Sequence, residues 1–107
     1  MIVRLTQWQS HESIGIQAAL AAWERHARVV ERVPGLRRYV QNHAVPAPDG
    51  TPPACAGVGE AWFDDATSAL SALQSPEWAA VIEDAETFMD LKTVVATWVE
   101  PRLIRDF

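Results

Sequence analysis

The sequence predicts an α+β domain: an antiparallel sheet with helices packed on one face. Two observations carry this. A long stretch of helical period, His11 to Val33, stops at Val33-Pro34-Gly35 and turns at once into an extended segment. Strand-like and helix-like stretches then follow in the order strand, helix, strand, strand, helix, strand, which is the split βαβ arrangement of a ferredoxin-like protomer. At 107 residues, 1–107 reads as one domain with a small core of its own.

Ile2 to Trp8 is rich in strand formers and reads as the first strand. Ser10 suits a helix N-cap and Glu12 the first turn. Through His11–Val33, Ile16, Ala19, Ala22, Trp23, His26, Val30 and Val33 share one helical face, and Gln17, Glu24, Arg25, Arg28, Glu31 and Arg32 the other. Pro34 cannot continue that helix, and Gly35 can take the left-handed conformation that closes it. Leu36 to Val45 is the second strand, with Arg37, Tyr39, Gln41 and His43 on one face. Pro46-Ala47-Pro48-Asp49-Gly50-Thr51-Pro52-Pro53 is a stiff surface loop.

Gly57 to Phe63 is the third strand. Val58, Glu60 and Trp62 share one face, and Gly57, Gly59 and Ala61 leave the other nearly bare, as where something else approaches closely. Asp64 or Asp65 caps a short helix ending at Leu73. Ser75-Pro76-Glu77 starts the next, whose stripe is Trp78, Val81, Ile82, Ala85, Phe88 and Met89. Lys92 to Glu100 is the last strand, followed by Pro101 and an apolar tail of Leu103, Ile104 and Phe107. Helices on one face leave the other to be hidden. Trp8, Trp62 and Trp98 lie in or beside three strands, so the expectation is a homodimer closed through the bare sheet faces.

Composition narrows the function. With 49% hydrophobic and 21% charged residues the chain folds, and a net charge of −5 argues against nucleic acid as a partner. Arg28, Arg32, Arg37 and Arg38 read as a solvated face and strand edge. One cysteine, Cys55, rules out an internal disulfide, and no basic neighbour marks it as a nucleophile. There is no leader and no apolar run able to span a bilayer, so no membrane partner and a cytoplasmic setting are expected. His11, His26 and His43 lack metal-ligand spacing, and no glycine-rich phosphate loop is present. No cofactor is expected, with haem left open through a single axial histidine.

Several of these residues also resemble a known family. Trp23, His26 and the run Val33-Pro34-Gly35-Leu36-Arg37-Arg38-Tyr39-Val40-Gln41-Asn42-His43 are similar to the EthD family, named for a protein tied to ethyl tert-butyl ether degradation. Gly57 to Asp64, Ser75-Pro76-Glu77 and Phe88-Met89-Asp90 fit it too. The resemblance implies a ferredoxin-like protomer pairing into a dimeric α/β barrel. It places His26 and Tyr39 around a cleft between helix and sheet. Ala22 stands where family members commonly carry an aromatic residue. Relatives with this barrel include cofactor-free monooxygenases, lactone isomerases and haem-degrading enzymes.

Two function classes follow. One is a small cofactor-free enzyme, of isomerase, lyase or monooxygenase type, acting on a hydrophobic or aromatic molecule. The other is an accessory protein of a degradation pathway that shelters such a ligand without chemistry. The expected site is a mostly apolar pocket. His26 and Tyr39 are its catalytic groups, and Trp23, Val30, Glu60, Trp62 and Phe88 surround the ligand. Ala19 and Ala22 would leave room beside the imidazole. What separates enzyme from binder is a second acid or base facing His26, with Glu60 the candidate. The bland readings are a packed core histidine at 26 and an outward carboxylate at 60.

Overall fold

The computed structural model describes residues 1–107. The strands are β1 (Ile2–Trp8), β2 (Arg38–His43), β3 (Gly57–Phe63) and β4 (Val95–Val99). The helices are α1 (Ile16–Val30), α2 (Ala66–Leu73) and α3 (Pro76–Ala85). The sheet order is β2-β3-β1-β4 with every neighbour antiparallel, the ferredoxin-like topology. None of the helices is long and apolar enough to cross a membrane.

The register fixes the two faces. Ile2, Arg4, Thr6 and Trp8 pair with Phe63, Ala61, Gly59 and Gly57, and these with Tyr39, Gln41 and His43 of β2. This face lies under the helices: Val30 and Val33 pack with Ala61 and Phe63, and Trp23 packs with Trp8. The bare side of β3 is bare because the Trp23 indole lies on it. A Cβ built on Gly57 would come 2.6 Å from Trp23 Cζ3, and one on Gly59 3.5 Å from Trp23 Cζ2. The buried residues of α1 are Ala19, Trp23, His26 and Val30, one stripe at helical spacing.

Element ends differ from the sequence expectation, each for a local reason. Ser10 does not cap α1. It forms an isolated bridge with Met89, while Asp90 N donates to Gln9 O and His11 N to Phe88 O, so the chain is still sheet-bound where the helix was expected to begin. Gly15 sits at the N-cap without a side-chain cap. The caps of the later helices are as expected: the Asp65 carboxylate accepts from Ser68 N and Ser75 Oγ from Trp78 N. Gly35 has φ +80°, the left-handed conformation that its place after Pro34 called for. β4 starts later than Lys92, because Asp90 caps a single 3₁₀ turn, Leu91–Thr93, in front of it.

The strand tryptophans divide between the two faces. Trp8 is 1% exposed beneath the helices. Trp98 pairs with Arg4 and so shares the helix-covered side at the β4 edge. Of the three, only Trp62 belongs to the open face. It pairs there with Val3 and Arg38, and its ring lies under the Arg38 guanidinium at 5.1 Å. Leu5, Val40, Val58, Val95 and Val99 share that face by register. The tail residues Leu103, Ile104 and Phe107 are exposed.

Candidate functional site

Between α1, α3 and the sheet lies a cavity of about 70 Å³. Its floor is short: Gly59 and Ala61 of β3 send almost nothing upward. Arg4, Thr6 and Trp8 of β1 border it on one side and Tyr39 of β2 on the other. Trp23, His26 and Val30 come from α1, and Trp78, Val81, Ile82 and Ala85 from α3. Trp78, Ile82 and Leu91 stand part-exposed around the cavity.

His26 is 3% exposed, and its Nδ1 lies 2.6 Å from Asp84 Oδ2. A carboxylate can only accept, so the proton of this bond sits on Nδ1. Nε2 makes no hydrogen bond within the chain, and His26 lines the cavity; in the neutral imidazole this nitrogen carries the lone pair. The Phe88 ring meets the imidazole edge-on at 5.3 Å and helps fix its plane. Asp84 itself is partly solvated, with its side chain 40% exposed. The pair thus combines a dry imidazole with a wetted carboxylate that orients it.

Tyr39 is held by Gln41, whose Nε2 donates to the phenol oxygen at 3.0 Å and to Trp23 O at 2.6 Å. The phenol proton finds no acceptor in the chain and is free for a cavity ligand. Burial raises the Tyr39 pKa above its ordinary value, outweighing the Gln41 hydrogen bond, so the group is a neutral donor at neutral pH. Arg4 lies on the other side of the floor. Burial lowers its pKa from the ordinary value. No cluster of three or more His, Cys, Asp or Glu suited to a metal ion is present.

The structure brings some of the expected site residues together and not others. His26, Tyr39, Trp23 and Val30 all line the cavity. Phe88 stands behind His26 rather than on the wall. Glu60 is also among the residues lining the cavity, through the floor strand, but its carboxylate accepts from Asn42 Nδ2 at 2.8 Å and Trp62 Nε1 at 3.0 Å, neighbours on the open face. Trp62 is on that open face as well, and strand alternation puts both side chains away from the imidazole. The room by His26 comes from Gly59 and Ala61, whereas Ala19 packs in the cluster around Trp8, with Ala22 against it. His43 stacks on Trp23 at 4.8 Å and donates from Nε2 to Gln41, away from the cavity wall.

A family model described as the EthD domain matches residues 11–92, the span that holds His26, Tyr39 and Asp84. The chain belongs to the EthD family. Among solved structures it is similar to an EthD family protein of Bacillus halodurans C-125, with 24% identity, TM-score 0.76, and 95% of this chain and 100% of that chain covered. It is also similar to SnoaB, a cofactor-independent oxygenase of Streptomyces nogalater, at 16% identity and TM-score 0.66 over 95% and 93% of the two chains. A third is a dimeric ferredoxin-like protein of unknown function from Thermobifida fusca, at 11% identity and TM-score 0.70 over 92% and 88%. At these identities the likeness is one of fold. No curated protein matches the chain.

Sequence reasoning missed two residues of this EthD site, Asp84 and Arg4. Asp84 carried a signal. Val81, Asp84, Ala85 and Phe88 share one helical face at i, i+3, i+4 and i+7, so a carboxylate interrupts the apolar stripe of α3 as His26 interrupts that of α1. Two polar interruptions on packed helices are natural partners. Arg4 carried a weaker one, sharing strand parity with Ile2 and Trp8.

Proposed function

We propose that this EthD chain is a cofactor-free enzyme in which His26 takes up and returns a proton on a small, largely apolar substrate. The observation that carries this reading is that His26 lines the cavity with no hydrogen bond on Nε2 while Asp84 holds Nδ1. Tyr39 donates its hydroxyl proton to the substrate oxygen on which charge develops. Trp23 and Val30 supply apolar wall. Proton removal from an acidic C–H or O–H begins an isomerisation or a lyase reaction. It also makes the electron-rich anion that a cofactor-independent oxygenase needs. The acid beside His26 favours an enzyme over a protein that only shelters a ligand, because an orienting carboxylate serves a base and adds nothing to an apolar binder.

¹⁵N NMR of the three histidines tests this. At alkaline pH, His26 should carry its proton on Nδ1 and a lone pair on Nε2. A small apolar carbonyl compound such as phenylacetone should shift the His26 Nε2 signal and spare His11 and His43. A proton on Nε2, or an Nε2 signal indifferent to the compound, defeats the reading.

We further propose a homodimer in which two open sheet faces close an α/β barrel. Leu5, Val40, Val58, Trp62, Val95 and Val99 offer that face apolar surface without a helix over it, and the Thermobifida fusca neighbour is dimeric. Light scattering should give twice the chain mass at micromolar concentration. A monomer there rules the pairing out.

A further inference from the structure

Arg4 is a cation at an apolar cavity with no carboxylate to neutralise it. The ion pairs of the chain are His26–Asp84, Arg37–Asp64 and Arg102–Glu100, and Arg4 is in none of them. Of the five N–H donors of a guanidinium, the chain engages Arg4 through one bond, from Nη1 to Thr6 Oγ1 at 2.6 Å. The guanidinium lies over the Trp78 ring at 5.1 Å. Stacking uses the face of the group and leaves its in-plane donors free. No nitrogen of Arg4 is both buried and unpaired, so its remaining donors stay accessible, and the residue lines the cavity.

We propose that Arg4 is the anion-recognition residue of this cavity and that the ligand is an apolar molecule bearing a carboxylate. The inference rests on the cavity being the ligand site, as proposed above. A carboxylate is planar and accepts two parallel N–H bonds from a guanidinium fork. Ala61 is the cross-strand neighbour of Arg4, and its small side chain leaves room for a flat anionic group to reach the guanidinium. Spacing along α3 agrees. Arg4 meets α3 at Trp78 and His26 meets it at Asp84, six residues on, or about 9 Å along the axis at ~1.5 Å per residue. The carboxylate then sits at one end of the cavity and the proton His26 moves sits at the other.

The matched pair benzoate and benzamide tests this by calorimetry on the full chain. Benzoate should bind about 10- to 100-fold more tightly, the worth of charge-assisted hydrogen bonds. The preference should vanish in Arg4→Met, persist in part in Arg4→Lys, and survive His26→Asn. Equal binding of the pair, binding of neither, or a preference that survives Arg4→Met overturns the assignment. Tighter binding of 4-nitrophenolate than of 4-nitrobenzoate also overturns it, pointing to an ionised phenol. Should Arg4→Met fail to fold, a crystal structure of the unaltered chain with benzoate decides: the carboxylate on Arg4 supports the proposal, and any other seat refutes it. Because the readout is binding, failure here leaves the role of His26 standing. A proton found on His26 Nε2 likewise leaves Arg4 untouched.

Discussion

His26→Asn is expected to slow proton transfer in the cavity by about 10²–10⁴-fold, the usual worth of a general base. The domain should stay folded, because the partner left behind, Asp84, already meets water. Asp84→Asn should come close to the same loss by another route. A carboxamide can donate to Nδ1, which moves the imidazole proton to Nε2 and removes the lone pair from the cavity. Both variants should lose no more than about 1.5–3 kcal/mol of stability, the worth of one hydrogen bond to a charged group. The measurement is deuterium uptake from D₂O into small aryl ketones and lactones, with the melting temperature followed alongside. Uptake unchanged in both variants would show that the pair is structural. A large loss of stability in His26→Asn with no kinetic effect would identify the imidazole as a core group.

Gly57→Ala should be the most damaging of the glycine-to-alanine changes in the chain. The new methyl would stand 2.6 Å from Trp23 Cζ3 and 2.9 Å from both Trp23 Cη2 and the Asn42 main-chain oxygen. Neither neighbour can yield easily. Asn42 lies in the β2–β3 ladder, and the Trp23 ring is caught between Trp8 at 5.2 Å and His43 at 4.8 Å. Overpacking of this kind costs about 1–3 kcal/mol, and at ~4–8 °C per kcal/mol the melting temperature should fall by several degrees to some 20 °C. Trp23→Phe removes the part of the indole that clashes, so it should cost less in the Gly57→Ala background than alone. A double-mutant cycle measures that coupling, expected at about 1 kcal/mol or more. Additive effects would mean that the indole is not what excludes a side chain at Gly57.

Much of the fold was legible because it rests on local rules. Pro34-Gly35, Asp65 and Ser75-Pro76 end or start helices through backbone geometry and single hydrogen bonds, which depend on near neighbours in sequence. The start of α1 was misread because Ser10 obeys a longer-range partner. Its bridge to Met89 holds it in the sheet despite its capping chemistry. The candidate site was legible only in part. Alternation put Tyr39, Gln41 and His43 on one face, and helical period put Trp23, His26 and Val30 on another, and these faces do meet. The same alternation placed Glu60 and Trp62 together, but parity alone does not say which side of a strand the helices will cover.

The sequence by itself determined the order of elements, the breaks between them and the stripes along each. It also left β3 a bare side, which the chain had to fill with something large. Only the tertiary structure decided that the filler is Trp23, that Asp84 rather than Glu60 meets His26, and that Arg4 borders the cavity without a counter-charge. The physical reason is separation along the chain. Period and capping act over one or two helical turns, whereas His26 and Asp84 are 58 residues apart, and their meeting depends on how α1 and α3 settle side by side on one face of the sheet.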